Sequence, residues 1–270
     1  MTAALILLTA LGYGRGMLVL WSRAGAGSGI SRAAFGAGLL GLCLILLALT
    51  DPVATLSEER LSVHMLQHAL LMAFAPPLLV YGRMGTAMWW ALPARSQLGR
   101  TPALHAAGRA FGRLQRPLVA GTIYAATLWV WHIPVLYEAA LRHESIHVLE
   151  HVSFVAAAML FWSSMTGPSA VSSAAAAVVL FITALHAGGL GALLATSSRI
   201  WYASYVTHAR DIHATLDDQH RAGVLMWIPL GFPYIAAGLL MVAVVVRRAG
   251  RRGRVATADA VRQGELREAP

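Results

Sequence analysis

Apolar residues gather into seven runs along the chain, at about 3–21, 33–50, 61–81, 118–137, 147–166, 171–194 and 222–246. Most approach the roughly 20 residues that an α-helix needs to cross about 30 Å of hydrocarbon. The pattern predicts an all-α fold, a polytopic membrane bundle of about seven transmembrane helices over 1–246. A short Arg-rich cytoplasmic tail over 247–270 follows, too polar to pack and expected to lack structure of its own. The first run is the weakest, because Gly12, Gly14, Arg15 and Gly16 interrupt it. It is kept as a span because the Arg15 stem can snorkel toward the nearer interface. It does not resemble a cleaved signal peptide, since no basic region precedes the apolar stretch from Ala3 to Tyr13. No soluble domain, internal repeat or nucleotide-binding glycine loop is discernible.

Charge orients this bundle. Only 12% of the 270 residues are charged, about half the roughly 25% of soluble domains. All 21 basic residues are arginine. The net charge of +9 is distributed in loops and tail as membrane orientation signals are, and not as a nucleic-acid footprint. With the N-terminus outside, fifteen arginines fall on the cytoplasmic side. Arg60, Arg142, Arg199, Arg210 and Arg221 face out. The positive-inside bias selects N-out and C-in, and an odd number of spans agrees. The expected partner is the lipid bilayer, with no nucleic acid. Cys43, the single cysteine, excludes an internal disulfide framework.

On this topology ten of the eleven histidines lie on the outer side, His105 being the exception. His64 and His68 are four residues apart, as are His143, His147 and His151. Positions i and i+4 share a helix face with Cβ atoms about 5–6 Å apart, so each such pair offers two imidazoles to one ion. Neutral imidazole suits copper, zinc and iron. Nearby carboxylates such as Glu150, Glu138 and Asp218 serve as ligands or orient the rings. The candidate metal-site residues are His64, His68, His132, His147, Glu150, His151, His186, Asp218 and His220. His143, His208 and His213 read as interfacial. Met65, Met72 and Met226 read as bundle filler more than as thioether ligands, and the tryptophans as interfacial belt or packing. His147-Val-Leu-Glu150-His151 also matches the H-x-x-E-H pattern of inverted zinc peptidases, a weak signal at the start of a membrane span.

Four ordered stretches resemble the polytopic CtaG family of cytochrome c oxidase assembly factors. They are His64-Met-Leu-Gln-His68 leading to Ala75-Pro-Pro-Leu78, and Trp131-His-Ile-Pro134 with Tyr137-Glu-Ala-Ala-Leu141. His147-Val-Leu-Glu-His151 with Phe161-Trp162 follows, then Asp218-Gln219 with Ala222-Gly223 and Met226-Trp227-Ile-Pro229. The resemblance covers roughly 60–235. It implies a non-enzymatic factor of the bacterial cell membrane that assists cytochrome c oxidase subunits during assembly, with copper as the metal handled on the outer side. The motif residues carried over are His64, His68, His132, His147, Glu150, His151, Asp218 and Gln219. A membrane di-iron oxidase of the histidine-box type is the alternative. Its count of histidines fits, but adjacent His-His pairs are absent. A purely structural membrane subunit is a third reading.

Overall fold

The computed structural model describes residues 2–93, 102–166, 174–208 and 211–268, so Arg95, Arg100, Arg210 and the start of the sixth apolar run lie outside the described residues. Among those described there is no strand. Helices α1 (Thr2–Ala24) and α2 (Arg32–Leu49) lead to the short α3 (Val53–Glu59). The third span comprises α4 (Leu61–Ala69), a π turn (Leu70–Phe74) and α5 (Ala75–Tyr81). Then come α6 (Met84–Ala91), α7 (Pro102–Leu114), α8 (Pro117–Trp131), α9 (Pro134–Arg142), α10 (Glu144–Thr166) and α11 (Ala174–Thr196). A 3₁₀ segment (Ala203–His208) precedes α12 (Ile212–Glu268). Six helices are long and apolar enough to cross a bilayer, and the bent pair α8–α9 makes a seventh if counted as one span. Leu8, Leu18, Phe181, Leu185, Leu239 and Leu240 are exposed around the perimeter, as expected of a bundle whose solvent is lipid.

Four elements depart from the expected pattern, each for a local reason. The glycines of α1 do not break it. Gly16 lies so close to α6 that a Cβ there would sit 1.8 Å from the Ala87 carbonyl oxygen, a small-residue contact of the kind that lets membrane helices touch. α6 itself, within the expected cytoplasmic connection, follows Arg83 in the left-handed conformation (φ 50°) and packs back along α1. The fourth span ends at Trp131 and not near 137. Proline disfavours helical backbone in the residue before it, and Ile133 is accordingly extended ahead of Pro134. α9 therefore leaves at 72° to α8. The last helix begins at Ile212, not near 222, because the Asp211 carboxylate accepts the Ala214 N–H at 2.8 Å and caps it. At its other end the backbone stays helical through the polar tail to Glu268. Ala, Arg, Gln and Glu favour helix, and extending a formed helix needs no new nucleus.

Two cores hold the bundle. The smaller joins Tyr13, Met17, Leu42, Leu79 and Ala87 across α1, α2, α5 and α6. The larger surrounds α4 and is built from α8, α10, α11 and α12. Within it the Tyr124 and Tyr234 hydroxyls pair at 2.5 Å, which satisfies both in a setting without water. α11 and α12 meet at Gly191 and Gly223, where a Cβ on Gly223 would lie 2.3 Å from Ala195 N and 2.6 Å from Gly191 O.

The π turn follows from Pro76 and Pro77. The Ala75 N–H bonds back five residues to Leu70 O. Neither proline has an N–H to offer Met72 O, whether counted in the α or the π register. The Trp162 indole N–H donates to that carbonyl instead, at 3.0 Å. Trp162→Phe keeps most of the ring but leaves the carbonyl unpaired, and is expected to cost about 1–3 kcal/mol. A lowered unfolding midpoint in detergent checks this. An unchanged midpoint would show that Met72 O needs no partner.

Candidate metal centre

Three helix ends bring the imidazoles together. α4 contributes His64 and His68, the α8–α9 break contributes His132, and the first turns of α10 contribute His147, Glu150 and His151. The i,i+4 spacing acts as expected on α4, where the two Nε2 atoms lie 2.8 Å apart. At that distance His68 Nε2–H is placed to donate to a bare His64 Nε2. Across helices, ligand atoms of His64, His147, Glu150 and His151 all lie within 4.8 Å of one another. His68 Nε2 is 3.7 Å from Glu150 Oε1. The ring centres of His68 and His132 are 5.9 Å apart, and those of His68 and His151 5.6 Å. His64, His68, His132 and Glu150 are at most 4% exposed.

The hydrogen bonds set which nitrogens are free. Tyr205 donates its only hydroxyl proton to Ser57 O at 3.2 Å. His64 Nδ1, 3.1 Å from the same hydroxyl oxygen, must then carry a proton and donate it, leaving Nε2 to accept from His68 Nε2 at 2.8 Å. Burial holds the Tyr205 phenol well above its ordinary pKa, so it keeps that proton. The Tyr137 hydroxyl completes the set at 3.1 Å from Tyr205. His132 Nδ1 faces Leu128 O at 2.8 Å. A carbonyl only accepts, so here too Nδ1 is protonated and Nε2 bare. His68 Nδ1, the Nε2 atoms of His132, His147 and His151, and both Glu150 oxygens are buried without a hydrogen-bond partner in the protein. Buried polar atoms are nearly always paired. So many unpaired ones at a single place, imidazole nitrogens and one carboxylate, form a group that could hold a soft or borderline cation.

The family model for the cytochrome c oxidase caa3 assembly factor, Caa3_CtaG, matches residues 11–248. This chain belongs to that family. Similar proteins include the uncharacterized protein Mb0105 of Mycobacterium bovis and MT0111 of Mycobacterium tuberculosis, each 26% identical over 264 residues. Each alignment covers 93% of this chain and 39% of the relative. The uncharacterized protein ML1998 of Mycobacterium leprae is 25% identical over 237 residues, covering 83% of this chain and 35% of its own. The chain thus spans under half the length of the curated relatives it matches. No solved structure matches it.

The other sequence candidates of this Caa3_CtaG chain lie outside the group. Asp218 and Gln219 sit within α12, not ahead of a span, and both position other elements. Asp218 Oδ2 accepts the Ser62 N–H at 3.1 Å and Oδ1 the Ser62 hydroxyl at 2.5 Å. It thereby satisfies an orphan donor in the first turn of α4, one residue pair before His64. Gln219 accepts the Trp201 N–H at 2.8 Å and donates to Arg199 O at 2.9 Å, clamping the loop that carries Tyr202 and Tyr205. Glu138 is likewise engaged, accepting the Ser204 N–H at 3.1 Å and the Ser204 hydroxyl. His220 Nε2 lies 3.0 Å from Ser197 O. His186 accepts from the Trp129 indole at 3.3 Å. The tyrosines were not among the sequence candidates. Tyr202 stacks on Tyr137 with ring centres 3.8 Å apart, and its hydroxyl donates to His132 O at 3.0 Å, a carbonyl that the Pro134 break frees. Tyr137 stood in a family motif, but nothing in the sequence marked Tyr202 or Tyr205 as neighbours of the histidines.

Proposed function

We propose that this chain handles copper for a haem–copper cytochrome c oxidase, taking the ion at the extracytoplasmic side of a bacterial plasma membrane and passing it to an immature oxidase. The observation that carries this reading is the set of buried, unpaired imidazole nitrogens facing Glu150. Family membership supplies the destination. The N-out, C-in orientation read from arginine placement puts the histidine end of the bundle outside the cytoplasm. Copper is cargo here, so its ligands must release it. Imidazoles without thiolate suit such exchange, and Cys43, the sole cysteine, is exposed on α2. The chain's own residues do three things at the site. Tyr205 and Leu128 O fix the tautomers of His64 and His132, so that in each ring Nε2 is the nitrogen without a proton. Glu150 supplies a carboxylate that offsets part of the hydration a cation loses on leaving water. His147 and His151 are only partly buried and give access from the membrane surface.

Deleting the gene should yield an oxidase with depressed copper content and activity, both restored by the full-length chain. Full copper occupancy in the oxidase of the deletion strain overturns the proposal. Iron in the purified protein together with oxygen-dependent turnover replaces it with the histidine-box oxidase.

A further inference from the structure

We infer that the histidine group holds two ions, a first among His64, His147 and His151 and a deeper one at His68 and His132, with Glu150 between them. This rests on the copper reading above and adds a stoichiometry to it.

The donor count comes first. Five imidazoles and one carboxylate present seven donor atoms at this end of the bundle: a nitrogen from each histidine and both Glu150 oxygens. One ion bound by imidazole and carboxylate takes about four. Three donors would then stay unpaired in a region where each such group costs several kcal/mol. Two ions of three or four donors each use all seven.

Geometry sets two donors apart from the compact set, with His68 bordering it at 2.8 Å from His64 Nε2. His64, His147, Glu150 and His151 form the compact set with mutual distances under 4.8 Å. His68 and His132 fall outside that set yet face one another at 5.9 Å between ring centres. An ion about 2.0–2.1 Å from nitrogen lies just over 3 Å from an imidazole centre, so two rings sharing an ion are separated by at most about 6.5 Å. His68–His132 at 5.9 Å and His64–His151 at 6.3 Å both meet this. The His132 Nε2 lone pair is buried and unpaired because Leu128 O occupies the other nitrogen. His68 completes the pair, and its Nε2 is 3.7 Å from Glu150 Oε1. Two cations close together repel strongly in a low-dielectric interior. A fully buried carboxylate with both oxygens unpaired is the group that offsets this. Two ligands of the first position, His147 and His151, are partly buried, while His64 is as buried as His68 and His132. An ion arriving from the surface meets the first position before the second.

The test is Cu(I) bound per chain, measured by elemental analysis after the detergent-purified full-length protein is saturated under reducing conditions and desalted. Two ions per chain are expected. His132→Asn places an amide N–H where Nδ1–H stood, preserving the bond to Leu128 O while removing Nε2, and should reduce the count to one. His147→Ala with His151→Ala should also leave one. One ion in the wild type at saturation, with His132→Asn unchanged, overturns the second position and leaves the copper reading intact. No copper in the wild type overturns both. Gel filtration and the unfolding midpoint of each variant separate ligand loss from misfolding, and the wild-type count decides the matter if a variant fails to fold.

Discussion

Replacing His64 and His68 together with alanine is expected to abolish copper retention by the purified protein while leaving it folded. The two side chains present Nε2 atoms 2.8 Å apart at the centre of the group. His64 contacts His147 and His151, and His68 contacts His132 and Glu150. Either proposed position therefore loses a ligand. Removing even an outer-shell partner of a metal-bound histidine lowers affinity about 10–100-fold, so loss of direct ligands from both positions should exceed 100-fold by chelator competition. The fold should tolerate the change. Outside the group the two imidazoles bond through His64 to Tyr205 and the Ser57 backbone, and the Tyr205 hydroxyl keeps its bonds to Ser57 O and Tyr137. Cells carrying the double variant should show an oxidase as copper-poor as that of a deletion strain. Wild-type copper content in the purified variant would exclude the α4 pair from the site.

Gly223→Leu is expected to disrupt the whole bundle. A Cβ at 223 meets backbone atoms, Ala195 N at 2.3 Å and Gly191 O at 2.6 Å, and backbone cannot rotate aside as a side chain does. α11 and α12 must separate. That opens the contact holding Leu190, Leu194, Ala222 and Met226 in the larger core. Overpacked cores typically lose about 1–3 kcal/mol. A clash against backbone on both sides belongs at the upper end, a large share of a stability of roughly 5–15 kcal/mol. The site should suffer as well, because α12 carries Asp218, which caps α4, and Gln219, which clamps the Tyr205 loop. A fall in the unfolding midpoint with reduced copper retention is the expected result. Gly231→Ala is the control, since the nearest atom to its added Cβ is Ile235 Cδ1 at 3.9 Å. Equal midpoints for Gly223→Leu and wild type would show that close approach at Gly191 and Gly223 does not hold the helices.

The spans, the membrane class and the histidines from which the converging group is drawn were legible from the chain. Each depends on short-range rules: twenty apolar residues span a bilayer, arginines mark loops, and i,i+4 histidines share a face whatever the helix packs against. The same rules failed where a helix end is decided by one side chain. Asp211 starts α12 ten residues before its apolar run, and Pro134 ends α8 before its own run is finished. Of nine candidate ligands, His64, His68, His132, His147, Glu150 and His151 converge. His186, Asp218 and His220 have other partners. Sequence spacing alone could not make that division, since all nine sit near one end of the bundle and differ only in where their helix faces point.

What the sequence determined by itself is therefore the inventory: apolar spans of membrane length, and histidines collected at one end of them. The tertiary structure alone decided which donors meet, which carboxylates cap helices instead, and that Tyr205, 141 residues from His64, sets its tautomer. The physical reason is that hydrophobic thickness and helical periodicity are written in neighbouring residues. Convergence of ligands depends on the rotation and crossing of helices packed through glycine contacts and proline breaks far apart in the chain.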